Sequence, residues 1–417
     1  MAQASWLKLG GCLALLGACL GCDAGTKTTV DDTAGASSGG SASSSAGSST
    51  TSGGSSIAQG GSSAGGSGGS PPSPTDSLAQ KYADYFPIGV ALGSIHLSTM
   101  GDIVERDFNH LTCENAMKIQ DIHPAEATFA WEEADYIADY ARQRGWKLTG
   151  HALLWHRQAP EWMFAGVTAG DATSLETLKS RLKAHIEAMV ERYGDVVDNW
   201  DVVNEAISDD AAKTYRDGPE GSKWFELFGS EEYIYWAFKY AKDALEAQSP
   251  GSSAGKLYYN EYVVTNKADR ILQMLAWLKD DKGLQIDGVG FQSHENMTWP
   301  SVADLQKAID KFVAAGYKTK ISELDVTVYS DYSTGSFVAS PAVELTPDLE
   351  AKQAKRFADL FALYRTNKAN ITSVTFWGVS DDQTWLDNEP VPGRNDHPLI
   401  FNEQHQPKAA RAAIMDF

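Results

Sequence analysis

The chain has 417 residues, of which 42% are hydrophobic and 22% charged, enough apolar material for a large buried core. Its formal charge of −20, from 35 basic and 55 acidic side chains, excludes a nucleic-acid or anionic-membrane binder, which needs a basic face. The four cysteines do not form a disulfide framework, because Cys12, Cys19 and Cys22 crowd the first segment and only Cys113 remains beyond it.

At the N-terminus, Lys8 precedes an apolar run from Leu9 to Gly21 that ends in small residues. The run is too short to span a bilayer and reads as an export signal over residues 1–21. Leu16-Gly17-Ala18-Cys19 resembles the lipobox of bacterial lipoproteins, which makes Cys19 the expected lipidation site, with Cys22 as a second possibility. A plain signal peptide with incidental cysteines is the alternative. Residues 22–77 are a different material. Between Ala34 and Ser70 there are 12 Gly and 15 Ser in 37 residues. Such a tract cannot bury enough surface to offset its ordering, so it is expected to be disordered. Its r.m.s. reach would be roughly 40 Å, a tether for whatever follows. Beyond it lie 33 basic and 51 acidic residues, a net −18, so the folded part is the acidic part.

From residue 78 to 417, short runs rich in β-branched and apolar residues alternate with longer helical patterns. The expected strands are PIGVAL, HLTCE, KLTGHALLW, NWDVVNE, KLYYNEY, DGVGFQSH, KTKISELDV and ITSVTFWGV. LETLKSRLKAHIEAMVERYG and DLEAKQAKRFADLFALYRTN have helical spacing. Ser301 is placed to cap a helix, and Thr346-Pro347 puts proline in a first helical turn. Eight strands alternating with helices predict an α/β fold, a parallel sheet closed as a (β/α)₈ TIM barrel. An open doubly wound sheet has less support, because no Gly-rich phosphate turn follows the first strand.

In such barrels the C-terminal strand ends carry the active site. Here the runs end in Glu114, His151, Asn204-Glu205, Asn260-Glu261, Gln292 and His294, Glu323 and Trp377. Glu205 and Glu323 are 118 residues apart, about 2.8 units of the barrel, which places them on the fourth and seventh strands, facing across the mouth. Two facing carboxylates are what glycosidic cleavage needs: one holds a proton for the leaving oxygen and the other stays ionised. Structural salt bridges to barrel Lys or Arg are the competing explanation. His294 and Asp325 lie near Glu323, where a His held by an Asp can hydrogen-bond a nucleophile and favour its charged form. Asn204 can bond a sugar hydroxyl. Twelve tryptophans are a high count, and Trp155, Trp377 and Trp385 offer flat faces to sugar rings, with core packing as their ordinary use. There is no HExxH, no G-x-S-x-G elbow and no phosphate loop, and Cys113 has no evident His partner.

GHALLWHRQAPEW, WDVVNEA, GFQSH, ISELDV and TFWGVSDDQTWL, in that order, resemble the motif series of glycoside hydrolase family 10. Upstream ENAMK and terminal PLIFNEQHQPKAA fit as well, so the resemblance covers residues 80 to 417. It implies a (β/α)₈ barrel and an endo-1,4-β-xylanase that retains anomeric configuration. By motif, Glu205 would be the general acid/base and Glu323 the nucleophile. Glu114, Asn115 and Lys118 would bind sugar on the non-reducing side of the cut. His151, Trp155, Asn204, Gln292 and His294 would line the central subsites, Trp377 and Trp385 would cover the sugar next to the cut, and Asp325 would orient His294. The chain departs from the family pattern at Ala116, where an acid is common, at Arg157, often Ser, and at Glu261 and Val263, usually Asp and Asn. The chemistry needs no metal and no cofactor. The expected partner is xylan or a related β-1,4-linked polysaccharide; no nucleic acid is expected, a membrane only through the lipid anchor, and a monomer. Two rivals stand: a related barrel β-1,4-glucanase, and a non-catalytic carbohydrate-binding lipoprotein, which would have no need of both carboxylates.

Overall fold

The computed structural model describes residues 76–218, 221–249, 255–331, 337 and 342–417. The proposed signal, Cys19 and the Gly/Ser tract lie outside the described residues. Ser77 caps the first helix, α1 (Leu78–Lys81), by accepting the Gln80 N–H.

Nine strands follow: β1 (Ile88–Leu92), β2 (His110–Cys113), β3 (Lys147–Trp155), β4 (Val197–Asn204), β5 (Lys256–Glu261), β6 (Gly288–Phe291), β7 (His294–Asn296), β8 (Lys318–Thr327) and β9 (Ile371–Phe376). All pair in parallel, and β6 pairs directly with β8, so eight strands close a ring. The ninth is the upper half of one expected strand. DGVGFQSH breaks at Gln292-Ser293, where Ser293 adopts φ 58°, and its end resumes as β7 against the C-terminal part of β8.

The longer helices between strands are α2 (Ser94–Asp107), α3 (Glu132–Arg144), α4 (Ala172–Tyr193), α5 (Glu232–Gln248), α6 (Val264–Ala276), α7 (Val302–Ala314) and α8 (Pro347–Thr366). Each buries one stripe against the barrel. On α4 the stripe is Leu178, Leu182, Ile186, Met189, Val190 and Tyr193, the three-and-four spacing of one helical face. Its Asp171 cap accepts the N–H groups of Thr173 and Ser174, an arrangement worth about 1 kcal/mol. Ser301 caps α7 and Pro347 opens α8 as the sequence predicts, and Thr346 caps α8 by accepting the Leu349 N–H. Each fully buried Leu or Phe of these stripes contributes about 1.5–3 kcal/mol. Trp200 and Trp224 belong to this core, so part of the tryptophan excess serves packing rather than sugar binding. Among the described residues no helix is long and apolar enough to cross a membrane.

Register shifts interrupt the ladders within β3, β4 and β8. In a regular strand, neighbouring side chains point to opposite faces. A bulge breaks that rule. Around the β8 shift, adjacent residues Ser322 and Glu323 both reach the side chain of Asn260. Below the mouth the barrel interior is polar. Lys320 Nζ pairs with Asp201 Oδ1 at 2.8 Å and donates to Asn199 Oδ1 at 2.6 Å. Burial alone would raise the Asp201 carboxyl, but Lys320 and His151 outweigh it and hold it below the ordinary range.

Candidate active site

The C-terminal mouth gathers the expected residues from β2, β3, β4, β6, β7, β8 and the segment after β9. Glu323, on β8, is 5% exposed. Its Oε1 accepts a hydrogen bond from Asn260 Nδ2 at 2.6 Å, and its Oε2 lies 3.1 Å from His294 Nε2. The other ring nitrogen of His294 lies 2.8 Å from Asp325 Oδ2, which also accepts from Trp385 Nε1 at 2.9 Å. Burial opposes charge on His294, yet Asp325 and Glu323 on either side overcome it and push the imidazole up to about 10. At neutral pH it is therefore an imidazolium that donates to both carboxylates. Trp385 stacks at a tilt against the same ring, with centroids 4.8 Å apart.

Glu205 follows β4 and sits at φ 57°, a left-handed conformation that a non-glycine residue adopts only when its surroundings fix it. Its carboxyl accepts from two neutral donors: Gln292 Nε2 on Oε1 and Trp155 Nε1 on Oε2, each at 2.8 Å. Gln292 Nε2 also reaches Asn204 Oδ1 at 3.2 Å, and Asn260 Nδ2 donates to that same oxygen at 2.9 Å. One amide chain thus links both carboxyls: Glu205, Gln292, Asn204, Asn260, Glu323.

On the β2 side, Lys118 is buried, donates to Asn115 Oδ1 at 2.9 Å and lies 5.1 Å from the Trp155 ring. Burial lowers its ammonium from the usual range, against the pull of Glu323, Glu114, Glu205 and Asp121. Glu114 joins the site through this field, and Asn115 is exposed at the rim. His151 is held at 3.1 Å by Asp201 and meets the edge of Trp377, which is buried.

The structure adds residues that the sequence reading did not assign. Asn260 was visible only as a polar end of β5, yet its amide touches both Asn204 and Glu323. Arg216 Nε donates to the Glu205 carbonyl at 2.8 Å; nothing local marks it, because it comes from the loop after β4. Of the departures from the family pattern, Ala116 is half-buried. Arg157 is exposed and, among the described residues, is the one arginine with neither hydrogen bond nor ion pair. Glu261 is buried behind Glu205, and Val263 sits at φ 51°. Cys113 is buried, unpaired and pushed far above the usual thiol range by that burial, which agrees with its rejection as a nucleophile.

A closed (β/α)₈ barrel with paired carboxyls, amides and indoles at its C-terminal mouth defines a class of glycoside-processing barrels. The family model of glycosyl hydrolase family 10 matches residues 77–417, and the chain belongs to that family. It is 39% identical over 334 residues to endo-1,4-beta-xylanase B of Paenibacillus barcinonensis, covering 80% of this chain and 95% of the relative. It is 40% identical over 348 residues to endo-1,4-beta-xylanase A of Caldicellulosiruptor saccharolyticus, covering 82% and 96%. Among solved structures, the endo-1,4-beta-xylanase from Caldicellulosiruptor owensensis superposes with a TM-score of 0.74 at 38% identity, covering 82% of this chain and 99% of that one.

Proposed function

We propose that the protein is a retaining endo-1,4-β-xylanase acting by double displacement, with Glu323 as nucleophile and Glu205 as general acid/base. One observation carries the assignment of roles: the two carboxyls share an amide chain but differ in their other partners. Glu323 has the His294 imidazolium, a charge-assisted partner suited to a carboxylate that must attack as an anion. Glu205 has only the neutral N–H groups of Gln292 and Trp155, which leave it free to give up and regain a proton.

In the first step Glu323 attacks the anomeric carbon. The C–O bond to the leaving sugar breaks as Glu205 transfers its proton to the departing oxygen. In the second, Glu205 takes a proton from water. The resulting oxygen nucleophile attacks the anomeric carbon and releases Glu323, giving net retention. Glu114, Asn115 and Lys118 bind the sugar on the non-reducing side. Asn204 spends its carbonyl oxygen on Gln292 and Asn260, so its N–H groups remain for a substrate hydroxyl. His151, Trp155, Asn204, Gln292 and His294 line the central subsites, Trp377 and Trp385 cover the sugar next to the cut, and Asp325 holds His294.

Retention calls for carboxyl groups roughly 5–5.5 Å apart, against about 6.5–9.5 Å for inversion. The test is the anomer first released from xylan, followed by proton NMR. Initial α-product would overturn the mechanism, and faster release of reducing sugar from carboxymethyl cellulose than from xylan would favour the glucanase. Binding without hydrolysis would favour a pure carbohydrate binder. Residues 1–21 are read as an export signal with lipidation at Cys19, residues 22–77 as a tether and the enzyme as a monomer at the cell surface. Loss of fatty-acid labelling on Cys19→Ala tests the anchor.

A further inference from the structure

We propose that Glu261 is a positioning residue for proton transfer: acting through Tyr259, it fixes the left-handed backbone that aims Glu205. The inference rests on the reading of Glu205 as the general acid and adds a residue outside the sugar-binding surface.

The geometry begins with the two residues after Glu205. The N–H groups of Ala206 and Ile207 both donate to the Tyr259 hydroxyl oxygen, at 2.8 and 3.0 Å. A phenolic oxygen has two lone pairs and one proton. With both lone pairs filled by backbone donors, the proton must find an acceptor elsewhere. Glu261 supplies it: the Tyr259 hydroxyl donates to Glu261 Oε2 at 2.5 Å, and that oxygen also accepts the Ile207 N–H at 3.2 Å. The carboxylate therefore sets which way the phenol turns its lone pairs, and the phenol in turn pins the backbone just past the acid.

Glu261 is itself held from the far side. Its Oε1 accepts from Lys267 Nζ at 2.9 Å and from the Tyr262 N–H at 3.2 Å. Lys267 is shared with Asp209 at 2.8 Å, and Asp209 pairs with Arg216 at 3.0 Å. Arg216 closes the loop by donating to the Glu205 carbonyl at 2.8 Å, while the Glu205 N–H is held by the Asn260 carbonyl at 2.9 Å. Every polar backbone group from Glu205 N through Ile207 N that the structure pairs is thus tied to the β5 end or to this charged cluster. None of Glu261, Tyr259 and Lys267 is more than 2% exposed, so none can touch substrate.

The experiment compares kcat/KM of the full chain on aryl xylobiosides with two leaving groups. Phenol needs protonation as it departs; 2,4-dinitrophenol does not. A residue that only stabilises the fold lowers both rates alike, whereas a residue that aims the acid lowers the first selectively. Glu261→Gln and Tyr259→Phe are each expected to reduce kcat/KM on the phenyl substrate by about 10- to 100-fold, a partial loss of the roughly 10²–10⁴-fold that general acid catalysis supplies, and to change the dinitrophenyl substrate by less than about threefold. Glu261→Asp keeps charge and acceptor and should restore most of the loss. Equal losses on both substrates, or none, would overturn the proposal. Glu205→Ala is run beside them: if it fails to show the selective loss, the acid assignment itself falls, independently of Glu261. Should Glu261→Gln not fold, the Tyr259→Phe ratio decides alone.

Discussion

The two halves of the mouth hold their carboxyls by different means. On the β7–β8 side Glu323 is fixed by side chains, through a charged chain from Trp385 to Asp325 to His294. On the β4–β5 side Glu205 is fixed by its backbone, with a left-handed φ and Tyr259, Glu261 and Arg216 bracing the peptide groups around it. The difference fits the roles proposed for the two carboxyls. A nucleophile needs its charge supported where it stands, while an acid that becomes a base needs a fixed direction and partners indifferent to its proton.

The sharpest break in this comparison is Glu323→Ala. It should lower xylan turnover by at least about 10⁴-fold, as loss of a covalent nucleophile does, with unchanged circular dichroism. Retained activity would remove the nucleophile from the β8 side. Next comes His294→Gln, expected to cost about 10–100-fold in kcat/KM, because one charge-assisted bond is worth about 1.5–3 kcal/mol. The same variant tests the charge. Because His294 is raised from 6.5 to about 10, its contribution to stability is fully present below pH 6.5 and fades as pH rises through 10. The difference in melting temperature between wild type and His294→Gln should therefore shrink over that window; a gap constant with pH would mean that the imidazole is neutral in the fold. Lys118→Met, at the buried ammonium beside Trp155, should raise KM by about tenfold with a smaller change in kcat, since the proposed site uses it as a substrate donor and not as a reacting group. An equal fall in kcat would place Lys118 in the chemistry. The smallest effect is on the backbone side. Val263, β-branched at φ 51°, carries strain of about 1–2 kcal/mol, and Val263→Asn should recover part of it. Chemical denaturation would show about 1 kcal/mol of added stability. An unstable variant would mean that the valine side chain contributes more by packing than its backbone loses.

The legible parts of the site were those written in adjacent residues. Glu205 and Glu323 end apolar runs, and so do Gln292 and His294, so strand order alone brought them to one end of the barrel. Asp325 follows Glu323 by two residues, which put it near the same strand end. Asn260 was visible at a strand end but had no role until its neighbours were known. Arg216 and Tyr259 carry no signal, because a loop arginine and a strand tyrosine look the same whether or not they brace a peptide. The split of DGVGFQSH could not be read either: periodicity describes an extended run and is blind to a single residue turning left-handed at Ser293.

By itself the sequence determined the alternation of strands and helices, the closure class of the sheet and which strand-end side chains meet at its mouth. These depend on hydrophobic period and on which residues end each strand, and both are local. Only the tertiary structure decided how each carboxyl is held. Bulges allow neighbours such as Ser322 and Glu323 to share one partner, and the groups that bracket Glu205 meet only when β4, β5 and the loop carrying Arg216 come together. Those contacts depend on register and backbone dihedrals set by the closed barrel, which no run of adjacent residues specifies.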